Sequence, residues 1–168
     1  MSKIYIAADF HFNHAKIIEY CKRPFDNVDE MNRFMIDQWN SIVNDEDLVY
    51  ILGDFGFGSV ENLTNIVEEL NGEKILLMGN HDRRRSVNWW LNFGFSEVWK
   101  KPREVYDGII FSHEPLDVSP DKINIHGHIH NTPLSSTFDS NTHICVSVEC
   151  INYRPVEIDS LLDKGDIC

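Results

Sequence analysis

Lys74-Ile-Leu-Leu-Met-Gly-Asn-His-Asp82 decides how the rest of this chain reads. The run Ile75 to Met78 is apolar, too short for a helix, and has the pattern of a strand buried on both faces. It breaks at Gly79, and Asn80, His81 and Asp82 follow at once. A buried strand that ends in a glycine turn and then presents polar side chains is how an α/β protein builds a site at the carboxyl edge of its sheet.

Working outward, the same plan recurs. Ile4 to Ala8 is strand-like and ends in Asp9-Phe10-His11. Leu48 to Leu52 ends in Gly53-Asp54. Ile109 to Phe111 runs into Ser112-His113-Glu114, and Ile123-Asn-Ile-His-Gly-His-Ile-His130 forms a late histidine cluster. Acid, imidazole and amide groups are therefore delivered at the ends of several short apolar runs.

Between these runs the period changes to that of helices. Ala15 to Lys22 reads as a short helix stopped before Pro24. Asn27 with Glu30 has capping-box spacing, and Met31, Phe34, Met35, Trp39, Ile42 and Val43 recur at helical intervals, as in an amphipathic helix laid on a sheet. Ser59 caps a helix with Val60, Leu63, Ile66, Val67 and Leu70 on one face, closed at Asn71-Gly72. Ser86 caps a short one carrying Trp89, Trp90 and Leu91. The second half reads as mostly strands: Glu97 to Lys100, Ile109 to Phe111, Ile123 to Ile125, Ile144 to Val148 and Pro155 to Ile158, with a half-turn of helix in the tail from Ser160 to Cys168. The expected fold class is α/β, a single domain over residues 1–168, built as a layered sandwich of two facing mixed sheets with helices outside.

Composition narrows the function. With 15 basic and 27 acidic residues the formal charge is -12, which argues against extended nucleic acid as a partner, since that needs a basic face. A small anionic substrate at one local site remains compatible with it. Hydrophobic residues make up 42% of the chain, enough for a packed globule. The four cysteines, Cys21, Cys145, Cys150 and Cys168, form no Cys-x-x-Cys pair. Scattered thiols and a start, Met-Ser-Lys, without an apolar signal region lead to the expectation of a reducing cytoplasm. No apolar run approaches the roughly 18 residues of a membrane span.

Asp9, His11, Asp54, Asn80, His113, His128 and His130 are oxygen and nitrogen donors with no thiolate among them. Such a set suits divalent manganese, iron or zinc better than a cysteine-bound zinc. Seven donors are too many for one tetrahedral ion and suffice for two ions sharing a carboxylate. Alone, His11 or His113 would more often be a structural or surface histidine; four strand ends with the right residue types are hard to obtain from core packing. Two metals about 3.5–4 Å apart can bring a bridging water toward hydroxide at neutral pH and hold two phosphate oxygens for in-line attack. A third group must then stabilise or protonate the leaving oxygen, and His81 is the natural candidate.

In this order, Asp9-x-His11, Gly53-Asp54, Gly79-Asn-His-Asp82, His113 and Gly127-His-x-His130, the blocks resemble the calcineurin-like metallophosphoesterase superfamily. The resemblance spans most of the chain and implies a two-sheet αββα sandwich with a dinuclear metal centre. It implies that Asp9, His11, Asp54 and His130 hold one ion, and that Asp54 bridges to a second completed by Asn80, His113 and His128. It also implies that His81 assists the leaving group or positions the phosphate. One departure stands out. Protein phosphatases of this superfamily carry an acid three residues after the bridging Asp, paired with the His of the Asn-His block, and here that position is Phe57. The chain is thereby closer to the small, compact phosphodiesterase-like members.

Weaker claims attach to Asn13 and His14, as pocket-lining or supporting residues, with helix capping the equal alternative for His14. His126 and His143 read as structural. Of the run Arg83-Arg84-Arg85, one, with Arg83 the first choice, could grip a phosphate oxygen, although a solvated face is the default for a charge run. Trp89 and Trp90 read as core. The expected function is hydrolysis of a small, nucleotide-like phosphodiester with two divalent ions, manganese first and iron, zinc or nickel as alternatives. A phosphomonoesterase on a small metabolite is the alternative, and a protein-interaction scaffold that retains the fold is a third, disfavoured by the intact ligand set.

Overall fold

The computed structural model of the protein describes residues 2–164. The apolar runs form two sheets. In the first, β1 (Ile4–Ala7), β2 (Leu48–Ile51), β3 (Glu73–Leu77) and β4 (Glu97–Trp99) are parallel, and β9 (Val156–Glu157) is antiparallel to β1, in the order β4-β3-β2-β1-β9. The second holds β5 (Arg103–Tyr106), β6 (Ile109–Phe111), β7 (Ile123–His126) and β8 (His143–Cys145) in the order β5-β6-β7-β8, with only the β5–β6 pair antiparallel. Both sheets are mixed, as expected, and helices flank them: α1 (Ala15–Tyr20), α2 (Val28–Asn40), α3 (Val60–Glu69), α4 (Val87–Leu91) and α5 (Ile158–Lys164). The Tyr50 ring of β2 meets the Phe111 ring of β6 at 5.1 Å, so the sheets face each other through aromatic side chains.

The parallel strands are buried along most of their length, which explains why they read as continuous apolar runs. The caps fall at the expected serines and asparagine: Asn27 accepts from the Glu30 N–H, Ser59 from Asn62 and Ser86 from Trp89. Met31, Met35, Ile36 and Trp39 of α2 are buried. Phe34 departs from the expected stripe. It is 41% exposed and lies at the surface against Phe25 and Tyr153. Beneath the loops that follow β1 and β2, the rings of Phe10, Phe12, Phe55 and Trp39 pack together, a firm floor for what those loops carry.

Several boundaries differ from the sequence reading. Ile144 to Val148 is not one strand. β8 ends at Cys145, and the chain then crosses to the first sheet, where Ala8 donates to the Val146 carbonyl and accepts from the Val148 N–H, at 2.8 and 3.0 Å. This crossing ties the two sheets together at one edge. β5 has no counterpart in the expectation: Arg-Glu-Val-Tyr is a short, charged edge strand with an irregularity between Glu104 and Tyr106, and it carries little apolar signal. Ile158, expected to end a strand, begins α5. The first helix stops at Tyr20, with Lys22 in the left-handed region. The tail reading continues past residue 164, and that part lies outside the described residues.

Candidate metal centre

The loops after β1, β2, β3, β6 and β7 converge at one edge of the sandwich. Asp9 is fully buried. Its Oδ2 accepts from the Ser147 hydroxyl at 2.6 Å and the His128 N–H at 2.7 Å, while Oδ1 has no hydrogen-bond partner among the described residues. Asp54 Oδ1 accepts from the His81 N–H at 3.0 Å. Its Oδ2 lies 3.6 Å from His11 Nε2, 3.5 Å from His113 Nε2 and 3.9 Å from His81 Nε2. One carboxylate oxygen thus sits among three imidazoles on three different loops.

Asn80 Oδ1 is 2.8 Å from His113 Nε2 and 3.1 Å from His128 Nδ1. His113 donates from Nδ1 to the Leu52 carbonyl at 2.8 Å, which leaves Nε2 turned into the cluster. The His130 ring stacks on that of His11 at 5.2 Å, and its Nδ1 lies 3.0 Å from Glu149 Oε1. All seven candidate ligands therefore come together. Asp9, His11 and His130 place ligand atoms within 4.8 Å of one another, and so do Asp9, Asp54 and His113.

The backbone achieves this by an unexpected route. The alternation Asp9, His11 and His128, His130 suggested an extended chain with side chains on one side. Instead Asp9, His11, Asp54, His128 and His130 all have φ between +51° and +70°. Five of the seven candidate ligands thus occupy the left-handed region, uncommon for non-glycine residues although more accessible to Asp, Asn and His. Such conformations cost about 1–3 kcal/mol each and cluster where structure is held for function. The glycines of the motifs serve close approach. A Cβ on Gly79 would collide with Asp54 Oδ1, and one on Gly127 with Asp9 Oδ2.

Charge and burial oppose each other here. Burial, reinforced by the Asp9 carboxylate, pushes the Asp54 carboxyl up to about 6. Burial, then His130 and Arg23, hold His11 far below the usual imidazole range. His130 goes the other way: burial alone would lower it, but hydrogen bonding to Cys21 and Glu149 and the charge of Asp9 carry it to about 10. A carboxyl that resists ionising, Asp54, beside an imidazole that resists protonation, His11, is a pair that a cation between them would satisfy. Asp9 Oδ1 and both ring nitrogens of His11 are buried without hydrogen-bond partners among the described residues. Unpaired buried acceptors of this kind, with no thiolate in the inner set, fit hard or borderline divalent ions.

Residues that sequence reasoning did not single out hold this centre. Asp82 is buried and accepts from the backbone N–H groups of Asp54, Gly79 and Phe55 at 2.6, 2.8 and 3.2 Å. Arg23, also buried, donates to the carbonyls of Asp9 and Phe10 at 2.7 and 2.8 Å and forms an ion pair with Glu149 at 2.7 Å. Glu149 in turn meets His130. The signal for Glu149 was present: it follows an apolar run, as the other site residues do. Arg23 had none.

The weaker claims resolve unevenly. Asn13 exchanges hydrogen bonds with Asn32 and donates to the Phe57 carbonyl, so its amide is engaged within the fold. His14 occupies the N-cap position of α1 without a side-chain capping bond, and its ring packs on Phe57 at 4.6 Å. Arg83 is taken by Glu114 in a bidentate pair, both contacts 3.0 Å. His126 and His143 are buried among backbone carbonyls, as structural histidines are. Trp90 is core, whereas Trp89 is half-buried with Arg85 over its ring. The Phe57 ring stands edge-on to His81 at 5.2 Å, where an acid would otherwise orient that histidine.

The chain is 39% identical over 180 residues to the "Uncharacterized protein MJ1445" of Methanocaldococcus jannaschii, covering 99% of this chain and 95% of that one. It is 26% identical over 196 residues to the "Gene 66 protein" of Mycobacterium phage L5, covering 97% and 94%. The crystal structure of the protein of unknown function AQ665 from Aquifex aeolicus superposes with a TM-score of 0.76 at 26% identity, over 98% of this chain and 99% of that one. The profile of the calcineurin-like phosphoesterases matches residues 2–162. With that match across nearly its whole length, the chain belongs to the calcineurin-like phosphoesterase family, and its general chemistry is metal-dependent hydrolysis of phosphoric esters.

Proposed function

We propose that the protein hydrolyses a small phosphodiester of nucleotide-like character in the cytoplasm, using two divalent ions with manganese first among them. Asp9, His11, Asp54 and His130 would hold one ion, and Asp54, Asn80, His113 and His128 the other. The ions, when bound, would supply a nucleophile at neutral pH and neutralise charge on the phosphoryl group. The observation that carries this reading is Asp54 Oδ2, which lies within 3.6 Å of His11 on one side and His113 on the other.

His81 completes the arrangement. Its Nε2 points toward Asp54 Oδ2 from 3.9 Å, too far for a hydrogen bond, so the nitrogen is left to face a substrate. In this reading it would hold the phosphate and hand a proton to the departing oxygen. Its backbone N–H is fixed on Asp54 Oδ1 and its ring on Phe57, so its position comes from packing and a main-chain contact.

The preference for a diester rests on charge. A monoester dianion calls for more compensating cations than a diester monoanion. Arg83, the first candidate to grip a phosphate oxygen, is committed to Glu114, and the chain is strongly acidic.

The test is to strip metal with chelator, restore manganese, zinc, iron, nickel or magnesium singly, and follow bis-p-nitrophenyl phosphate beside p-nitrophenyl phosphate. Metal-restored cleavage favouring the diester is expected. A preference for the monoester overturns the diester assignment in favour of a metabolite phosphatase. Metal bound without hydrolysis of either would point to the scaffold reading.

A further inference from the structure

A cavity of about 650 Å³ is lined by His130, Glu149, Cys145 and Cys150, among others. Within its wall Cys150 Sγ lies 3.8 Å from Cys145 Sγ. Both thiols donate toward the carbonyl oxygen of His130, at 3.2 Å from Cys150 and 3.8 Å from Cys145. The one Cys145 S–H has Ser147 Oγ as its nearer alternative acceptor, at 3.3 Å, and that hydroxyl donates to Asp9 Oδ2 at 2.6 Å. The two sulfurs thus touch each other and, through one or two hydrogen bonds, two of the candidate ligands of a single ion. Asp54→Asn or His81→Ala would leave this arrangement untouched; it is separate from the chemistry proposed above.

We propose that Cys145 and Cys150 form an oxidisable dithiol whose conversion to a disulfide loosens the His130 and Asp9 side of the metal centre. The oxidant is hydrogen peroxide. Cys150 is the partly exposed partner and lines the cavity, so its sulfur, losing its proton, attacks one peroxide oxygen. The O–O bond breaks, water departs and a sulfenic acid is left. Cys145 Sγ then attacks that sulfur, forming the S–S bond and releasing the second water with the thiol proton. Two thiols and one peroxide give one disulfide and two waters, and two electrons pass from sulfur to oxygen. Closing 3.8 Å to a bond of about 2.05 Å is within the reach of side-chain rotation and a small backbone shift.

The consequence follows from what the S–H groups hold. Oxidation removes the two S–H protons, and with them the donors available to the His130 carbonyl and to Ser147 Oγ. His130 has φ +52°, a conformation that persists only where its surroundings hold it. The side chains of Asn80, His113 and His128 contact one another, so the second ion is expected to keep these ligands. The sulfur chemistry stands on the thiol pair alone, while its effect on metal rests on the reading of His130 and Asp9 as ligands.

The test treats metal-loaded protein with peroxide, maps cysteine pairing by peptide mass, measures bound metal, and then adds dithiothreitol. The expected result is a Cys145–Cys150 disulfide with loss of about half of the bound metal, the loss being tenfold or more in affinity for that ion, and recovery when reductant and metal are returned. Cys150→Ala and, independently, Cys145→Ser should retain their own metal in peroxide, and Cys21→Ala should respond as the parent does. Absence of the disulfide, or Cys150 paired with another cysteine, overturns the dithiol. A disulfide that forms without metal loss, or equal loss in Cys150→Ala, overturns the coupling while leaving the ligand assignment standing.

Discussion

Asp82 Oδ2 accepts the backbone N–H of Asp54 at 2.6 Å, so the acid that ends the Gly79–Asp82 block fixes the end of a different strand. The same oxygen holds the Gly79 N–H, and Oδ1 holds that of Phe55. Asp82→Ala leaves these buried donors unpaired, at about 1–3 kcal/mol for each that finds no substitute. The expected outcome is a fall in denaturant midpoint together with weaker metal binding, because Asp54 loses its anchor. An unchanged midpoint would show that Asp82 does not organise the loops.

Asp54→Asn keeps the shape and removes the charge. If Asp54 is shared between two ions, the variant should purify with less than the parent's metal and show no hydrolysis of bis-p-nitrophenyl phosphate above background. Full metal content would contradict a bridging role. Elemental analysis of the purified protein decides it.

His81→Ala should retain both metals and lose about 10²–10⁴-fold in kcat, the usual contribution of proton transfer to a leaving group. A substrate with a good leaving group should narrow the loss, since it needs less help. Metal loss without a separate catalytic defect would instead make His81 a ligand.

Glu149 joins His130 to Arg23, and Arg23 carries the carbonyls of Asp9 and Phe10. Glu149→Ala strands a buried guanidinium, for which about 3–5 kcal/mol is expected. Glu149→Gln removes the charge while retaining an acceptor for His130. It should lower metal affinity by about 10–100-fold with a smaller loss of stability. Metal titrations beside urea melts separate the two effects.

Alkaline pH should unfold the protein through its buried phenols. Burial, helped by Tyr106, pushes Tyr50 up to about 12, and burial does the same for Tyr153. The folded state therefore holds these protons more tightly than the unfolded chain. Their contribution is fully present below the ordinary value of 10.0 and is lost as pH rises through about 12. Tyr50→Phe should flatten the decline in stability across that window, read by denaturant melts at several alkaline pH values.

The convergence of the candidate ligand positions was legible because each follows a short apolar run and a break, a pattern that a buried parallel strand imposes on sequence. The layered two-sheet fold was legible for the same reason. What supports the ligands was not. Arg23 and Glu149 are 126 residues apart, and nothing local to either announces a buried ion pair. Asp82 could be seen beside His81, but its hydrogen bonds run to the neighbouring strand end. The left-handed backbone at Asp9, His11, His128 and His130 defeats a rule of alternation that holds only for extended chain. β5 was missed because its sequence is charged, and Ile144 to Val148 was read as one strand because both of its halves pair, though with different sheets.

The crossing at Val146 to Val148 has a consequence for biosynthesis. Ala8 exchanges hydrogen bonds with Val146 and Val148, and Asp9 takes the hydroxyl of Ser147, 138 positions further along the chain. The first candidate ligand to leave the ribosome therefore waits for Ser147 before its carboxylate is oriented. Contacts of such long separation form late and slowly. A nascent chain halted before Ser147 would carry all five motif blocks, yet lack the partner that aims Asp9. Orientation of this candidate ligand is thus timed to the synthesis of Ser147 rather than to the emergence of Asp9 itself.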